Sequence, residues 1–311
     1  MLEECLSSIK NVEVPQKVRI EIVIIDQSDN QIKTQKIVNR LRKINLKRVT
    51  PLSYKYYRDD RRGISFARNC LFDKTSGEYL FTTDDDAIVS KSWIIEGVKY
   101  FKNHSKAEVV VGKVDPHTAS KKMLRKIETL DSSLRWAYSI FNLGKKSFQI
   151  TGDIIEYPVF LNLAVKKSVY KKIKIDTRFG NQQSIWKVYG GEDPDFIEQV
   201  KRFANIYYNP KMFVHHRLKT NKLYNKYFFW RYWSFGKERC LLEYKYNLEK
   251  SVNAKNIIKT SYEFLKYPFN FKKKINFLFA LSYILTIPYF YTTSIKFRHF
   301  HSNKFISEYQ R

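Results

Sequence analysis

Two short apolar runs, each ending directly in an acidic turn, constrain the fold of this chain most strongly. Residues 20–25 (IEIVII) lead into Asp26, and residues 79–83 (YLFTT) lead into residues 84–86 (DDD). Runs of this length and composition are typical of strands that are covered on both faces, as in a parallel sheet. Because ligands of such sheets bind at the carboxyl ends of the strands, both acidic turns are predicted to lie at a ligand-binding edge.

Segments with helical periodicity alternate with the apolar runs. Helices are predicted at residues 64–72, 92–101 and 194–203, and further strands at residues 54–57, 109–111 and 161–165. This alternation predicts the α/β class, with a mostly parallel central sheet in a nucleotide-binding sandwich. Near residue 220 the sequence becomes rich in aromatic residues and lysines. We therefore predict one domain at residues 1–220 and a helical, basic, aromatic tail at residues 221–311.

The charge of the chain is strongly positive. Lys and Arg number 57 against 30 Asp and Glu, which gives a formal charge of +27. Such an excess favours nucleic acid, an anionic membrane surface or phosphorylated ligands, although an A/T-rich genome would also enrich lysine. Three scattered cysteines are too few for a disulfide framework and indicate a reducing compartment. Residues 1–11 carry acidic side chains where a secretory signal carries basic ones, so no such signal is expected.

The triple aspartate predicts a metal site. Adjacent carboxylates repel one another unless a cation compensates their charge. Mg²⁺ or Mn²⁺ accepts oxygen ligands and keeps coordination positions for phosphate, and the ion can stabilise a departing nucleoside diphosphate. A solvated acidic turn or a helix N-cap is the alternative interpretation of the same three residues.

A second acidic site follows at residues 190–195 (GGEDPD). The paired glycines permit a sharp turn, and Pro194 suits the first position of a helix. Asp193 is then either the N-cap of that helix or a general base that deprotonates an acceptor hydroxyl.

Taken together, these segments resemble the family 2 glycosyltransferases, whose catalytic domain has the GT-A fold. The resemblance runs from about residue 2 to residue 216. Its most specific block is residues 61–94 (RRGISFARNCLFDKTSGEYLFTTDDDAIVSKSWI), and residues 20–30, 162–165, 175–180 and 190–196 complete the order. The resemblance implies a sugar transfer with inversion, from a nucleoside-diphosphate sugar to a hydroxyl on a glycan or lipid-linked acceptor, in bacterial surface polysaccharide synthesis.

The resemblance also implies roles for the acidic residues. Asp84 and Asp86 stand at the family's DxD positions, where Asp86 would bind a divalent metal, Mn²⁺ or Mg²⁺. Asp84 would contact the ribose or reach the metal through water, and Asp85 would lie on the nucleotide-sugar side. Asp193 matches the catalytic base and Glu192 the accompanying acid.

Further positions are implied on the donor side. Asp26 and Gln27 fall in the turn that reads the nucleoside, and Arg68 matches the arginine beside the diphosphate. His215 or His216 would complete the metal shell; a partly buried histidine that bridges strands is the alternative. Family members begin with a strand before the first helix, whereas residues 2–6 already resemble that helix. A catalytically impaired nucleotide-sugar-binding remnant is therefore a rival interpretation.

The tail predicts membrane contact. The 21 residues between Lys274 and Lys296 carry no formal charge, and basic residues flank them. This pattern favours a peripheral helix on the anionic, cytoplasmic face of a membrane; a helix packed on the catalytic domain is the alternative. The aromatic and basic residues 224–239 are compatible with single-stranded nucleic acid. No RNA-binding motif accompanies them, so nucleic acid is not an expected partner.

Overall fold

The strands form two sheets. A two-stranded parallel sheet consists of β1 (Glu21–Asp26) and β2 (Ser53–Arg58). A six-stranded sheet has the order β3-β7-β5-β8-β4, with β6 on the other part of β8. Its members are β3 (Tyr79–Thr82), β4 (Ala87–Val89), β5 (Val109–His117), β6 (Phe148–Ile150), β7 (Leu163–Lys166) and β8 (Ile206–Arg217).

Seven helices in the described part of the first 224 residues accompany these strands. They are α1 (Leu2–Lys10), α2 (Gln31–Asn45), α3 (Ile64–Lys74), α4 (Trp93–Asn103), α5 (Lys121–Glu128), α6 (Lys167–Tyr170) and α7 (Glu192–Val200). One face of α1 is buried through Cys5, Leu6 and Ile9, whose spacing places them on a single side of the helix. Three short 3₁₀ turns occur at Trp136–Tyr138, Phe160–Asn162 and Thr220–Leu223.

The computed structural model describes residues 1–45, 52–130, 135–151, 157–180, 188–248 and 252–301. It divides into two compact units, Met1–Tyr224 and Asn225–Arg311. The second unit contains α8 (Asn225–Tyr246), α9 (Ala254–Lys266) and α10 (Phe271–His301). The part of the predicted tail beyond residue 301 lies outside the described residues. None of the described helices is both long enough and apolar enough to cross a membrane.

The α/β class is confirmed, but the strand directions differ from the mostly parallel expectation. Among the described strands of the larger sheet, only β5 and β8 run parallel, while β3–β7, β5–β7, β4–β8 and β6–β8 are antiparallel. The apolar run at Val109, Val110 and Val111 is fully buried, as expected for a strand covered on both faces. A continuous apolar run indicates that both faces of a strand are covered. It carries no information about the direction of the neighbouring strands.

A buried amide supports the centre of the larger sheet. Asn162 donates from Nδ2 to the carbonyls of Lys113 (2.8 Å) and Met212 (2.9 Å), and its Oδ1 accepts from Trp93 Nε1 at 2.8 Å. The β5–β8 pairing shifts register between Gly112 and Lys113. Asn162 therefore provides a hydrogen-bond donor to two carbonyls beside this irregularity of the ladder, and it anchors the start of α4 to the sheet.

Candidate active site

The triple aspartate occupies a strand-to-strand turn. It follows β3, and the Ala87 amide closes the turn by donating to the Asp84 carbonyl at 3.2 Å. The thiol of Cys5 donates to the same carbonyl at 3.3 Å. Burial, followed by the field of the three aspartates, raises the pKa of the Cys5 thiol to about 12. The interpretation of residues 84–86 as a helix N-cap is therefore excluded, since no helix begins there.

Arg68 links α3 to this turn. The helix begins at Ile64, and its buried Arg68 donates from Nη2 to Asp84 Oδ1 at 2.5 Å. The guanidinium also lies over the ring of Phe160, 4.7 Å from the centroid. Burial disfavours the charged form of Arg68, but the carboxylates of Asp84, Asp193 and Glu192 outweigh this cost and raise its pKa. One arginine thus lies within the electrostatic reach of both acidic sites.

The backbone of Phe160 joins the two acidic sites. Its amide donates to Asp193 Oδ1 at 3.0 Å, and its carbonyl accepts from Thr82 Oγ1 at 2.5 Å. Thr82 is the last residue of β3, two residues before Asp84. A single peptide segment therefore ties the end of β3 to the start of α7, and the two acidic sites flank one region of the molecule.

Asp193 lies inside the first turn of α7. The helix begins at Glu192, and Gly191 occupies the N-cap position with φ 94°, a left-handed conformation that favours glycine. The alternative interpretation of Asp193 as the N-cap is therefore wrong. Three acidic residues in the first turn, Glu192, Asp193 and Asp195, interact favourably with the positive end of the helix dipole.

Asp195 and Asn69 hold the surrounding segments in place. Asp195 is fully buried, and its Oδ2 accepts from the Asp176 amide at 2.9 Å. Asn69 exchanges two hydrogen bonds of 2.8 Å with the backbone of Ile175. Of the Ala-Arg-Asn block, Arg68 therefore faces the acidic site while Asn69 fixes α3 to the segment before α7.

His216 faces Asp86, and His215 does not. The Nε2 atom of His216 lies 3.5 Å from Asp86 Oδ2, and its Nδ1 lies 2.7 Å from the Tyr138 carbonyl. Successive residues of a strand point to opposite faces, so His215 is directed away, with its ring 4.4 Å from Phe213. The structure thus separates two histidines that the sequence left equivalent.

The pKa values of the two remaining aspartates of the turn are shifted in opposite directions. Burial disfavours ionised Asp86, but the hydrogen bond and charge of His216 outweigh it, so the pKa of Asp86 is lowered. Partial burial and the negative charges of Asp86 and Asp84 raise the pKa of Asp85. The repulsion between these neighbouring carboxylates would be relieved by a cation at the turn.

Asp26 organises the turn after β1. It is buried, and its two carboxylate oxygens accept from the Ser28 amide (2.8 Å) and the Tyr56 hydroxyl (2.7 Å). Burial works against the charged form, but these hydrogen bonds lower the pKa of Asp26. Gln27 donates to the carbonyl of Gly63, the residue before α3, at 3.1 Å. The β1 turn is therefore connected to the helix that carries Arg68.

Sequence reasoning missed a group of charged residues at the end of β2. Asp59 is buried, and Arg61 donates to both of its carboxylate oxygens at 2.7 and 3.1 Å. Arg62 donates to the Gln27 carbonyl at 2.9 Å. The arginines at residues 58, 61 and 62 were visible as a cluster that follows a predicted strand, and this placement at a carboxyl strand end was the available signal.

Two side chains of the types that ligate metals lie close together at the Asp86 side of the turn. Among the described residues, no group of three or more His, Cys, Asp or Glu side chains is arranged to hold an ion. A carboxylate and an imidazole lie within 3.5 Å of each other at Asp86 and His216, and a bound diphosphate would supply further oxygens. The residues therefore fit an ion that is held jointly by protein and nucleotide.

A family profile matches this chain. The profile of glycosyl transferase family 2 covers residues 1–174. The succinoglycan biosynthesis protein ExoM of Rhizobium meliloti (strain 1021) is 29% identical over 116 residues, which are 37% of this chain and 35% of that protein. The aligned part thus spans only about a third of this curated relative.

Solved structures share the fold at low sequence identity. The mannosyltransferase PcManGT from Pyrobaculum calidifontis, in complex with GDP-Man and Mn²⁺, has a TM-score of 0.54 at 14% identity, over 92% of this chain and 83% of that one. TarS 1-349 of S. aureus, in complex with UDP-GlcNAc, has a TM-score of 0.52 at 13% identity, over 91% and 88%. The GT-A fold that the resemblance implied is confirmed. The family match takes in more than half of the chain and includes both the β1 turn and the triple aspartate, so this chain belongs to glycosyl transferase family 2.

Proposed function

We propose that this enzyme transfers a sugar from a nucleoside-diphosphate sugar to a hydroxyl of a glycan or lipid-linked acceptor, with inversion, in polysaccharide synthesis. The observation that carries the proposal is the pair of acidic sites joined through Phe160 and Arg68. One site suits the donor diphosphate, and the other places a carboxylate where an acceptor hydroxyl can meet it. The family, and a relative named for succinoglycan biosynthesis, support the reaction class and its setting.

Asp193 is the proposed general base, with Glu192 beside it to bind sugar or acceptor. Asp193 accepts the proton of the acceptor hydroxyl as the hydroxyl oxygen attacks the anomeric carbon. The bond from that carbon to the diphosphate oxygen breaks, and the nucleoside diphosphate leaves with the electron pair. A single displacement of this kind inverts the anomeric configuration.

Asp86 and His216 are the proposed metal ligands, with Asp84, Asp85, Asp26, Gln27 and Arg68 on the nucleotide-sugar side. When bound, Mn²⁺ or Mg²⁺ supplies positive charge that stabilises the departing diphosphate. A neighbour solved with GDP-Man and Mn²⁺ supports this choice of ion. Arg68 is a positioning residue in this scheme, because it holds Asp84 and offsets the negative charge of both acidic sites.

The proposed placement in the cell follows from the two units. Catalysis belongs to residues 1–220, and the basic tail at residues 221–311 associates peripherally with the anionic, cytoplasmic face of a membrane. A lipid-linked acceptor would be presented at that surface. The excess of basic residues in the tail is the support for this part of the proposal.

Release of nucleoside diphosphate tests the assignment. The full chain is incubated with Mn²⁺ and a panel of UDP- and GDP-sugars, and wild type is compared with Asp193→Asn, Asp86→Asn and a control, Asp73→Asn, on the exposed end of α3. Loss of a general base lowers the rate by about 10² to 10⁴-fold, so both site variants should lose most activity and the control should keep it. Equal rates in all four proteins contradict the proposal, as does a transfer product that retains the donor's anomeric configuration.

A further inference from the structure

The helix α9 exposes an apolar stripe. Ile258 is 70% exposed, Tyr262 62% and Leu265 76%. At 100° per residue these three side chains fall within an arc of about 60° on one side of the helix. The stripe continues into the following turn, where Phe269 is 99% exposed. Large apolar side chains exposed together in this way are typical of an interaction surface.

The opposite side of α9 is already occupied. Phe264 stacks on Phe277 of α10 with ring centroids 4.7 Å apart, and Glu263 pairs with Lys273 at 2.7 Å. These contacts fix which side of α9 faces its neighbour. The stripe is therefore a second apolar surface, separate from the one that holds the helix to α10.

Positive charge borders the stripe. Lys255, Lys259 and Lys266 fall within an arc of about 40° that adjoins the apolar arc. Residues 252–274 contain six lysines and one acidic residue, and that residue, Glu263, is the partner of Lys273. An apolar stripe with a basic border fits the boundary between anionic headgroups and acyl chains.

The charge-free run within α10, which begins at Ile275, is used differently. Ile275, Ala280 and Thr286 are buried, and Tyr283 donates to Glu243 of α8 in the interior of the helical unit. Much of the sequence that predicted membrane contact is therefore committed to packing between helices. The exposed apolar residues on the described part of α10 are Leu285 and Ile287.

We propose that α9 and the turn after it form the membrane-docking surface, with the stripe lying in the interface of an anionic bilayer and the lysines at its phosphate groups. The proposal deepens the membrane association proposed above and is independent of the glycosyl transfer. Another copy of this chain is disfavoured as the occupant, because it would bring a second set of lysines against the first.

Vesicle cosedimentation of the full chain tests the surface. The vesicles contain phosphatidylcholine alone, or with about one third phosphatidylglycerol to supply the negative surface charge. Wild type should bind the anionic vesicles and should not bind the neutral ones. Replacing Ile258, Tyr262 and Leu265 together by serine should weaken binding at least about tenfold, with donor hydrolysis and the circular dichroism spectrum retained as evidence of folding.

Two further variants separate the explanations. The triple change of Lys255, Lys259 and Lys266 to glutamine should weaken binding by a similar factor. The matched control, Leu285→Ser with Ile287→Ser on α10, should bind as wild type does. Loss of binding in the control but not in the α9 variants overturns the surface assignment and leaves membrane association standing. If wild type does not bind anionic vesicles, both the surface assignment and membrane association are overturned. If the α9 variant differs from wild type only in its oligomeric state, the surface binds a second copy of the chain instead of a membrane.

Discussion

Arg68 offsets the negative charge of two acidic sites at once. It donates a hydrogen bond to Asp84, and from its buried position it also interacts electrostatically with Asp193 and Glu192. Removing the buried arginine leaves the charge of Asp84 uncompensated, although the Asp84 side chain is 34% exposed, so that water offsets part of the cost. The arginine is therefore expected to matter for stability as well as for donor binding.

Replacing Arg68 by methionine should lower the free energy of unfolding by about 2 kcal/mol at neutral pH, less than for a fully buried ion pair. Urea unfolding at neutral pH measures the loss. Adding Asp84→Asn to the methionine variant should recover part of the loss, and a double variant as unstable as the single one contradicts this account.

Replacing His216 and replacing His215 should have different effects on the Mn²⁺ dependence of activity. Loss of groups that only orient a metal ligand costs 10–100-fold in affinity, so His216→Ala should raise the Mn²⁺ concentration for half-maximal activity by at least about tenfold. His215→Ala, directed to the opposite face, serves as the matched control and should leave it unchanged. Electron paramagnetic resonance of bound Mn²⁺ gives a readout apart from activity. Equal Mn²⁺ affinity in both variants speaks against His216 as a ligand.

At the level of single residues, sequence patterns placed the acidic sites but not their partners. The order of motifs pointed to Asp84, Asp86 and Asp193 as one site. It could not choose between His215 and His216, since that choice depends on the register of β8 against β4, where Ala87 pairs with His216. The role of Phe160 was also invisible, because it acts through its backbone.

The β1 turn owes its shape to a charged carboxylate. The pKa of Asp26 is lowered in the folded protein, so its contribution to stability is present above the unfolded pKa and is lost as the pH falls through the folded one. Asp26→Asn should cost about 2 kcal/mol at pH 7, as expected for hydrogen bonds to a charged acceptor. The difference from wild type should begin to shrink as the pH falls below about 4 and should disappear only below the lowered pKa of Asp26.

Urea titrations at neutral and acidic pH check this prediction. Asp60→Asn, an exposed aspartate after β2 with a side chain 81% accessible, is the control and should change stability little. A loss that is equally large at pH 3 and pH 7 would show that the side-chain shape, and not its charge, supports the turn.

At the level of elements, the existence of strands and helices was predictable and their arrangement was less so. Hydrophobic patterning located β1, β3, α3 and α4 to within two or three residues. The antiparallel course of β4 and β7 was not predictable, because strands of three and four residues carry too little pattern. Their positions depend on long-range pairing with β8, β3 and β5.

The positive charge of the whole molecule should make vesicle binding sensitive to salt. The screening length falls from about 10 Å at 0.1 M salt to about 3 Å at 1 M. A lysine near an anionic surface contributes about 1 kcal/mol, so screening three of them should weaken binding by about 100-fold. Cosedimentation across a NaCl series measures this. Donor hydrolysis is the internal control, and binding that persists at 1 M NaCl would assign the attachment to apolar contact alone.

The bridge at Phe160 has a consequence for how this enzyme can vary. The spacing between the end of β3 and Asp193, which under the proposed function separates the diphosphate from the proton acceptor, is held by an amide and a carbonyl of one residue, and neither depends on the identity of its side chain. Exchange of Phe160 for leucine should therefore preserve the gap between donor and acceptor while removing the aromatic support beneath the arginine. Reach across the reaction centre and charge balance within it can thus be tuned separately at a single position.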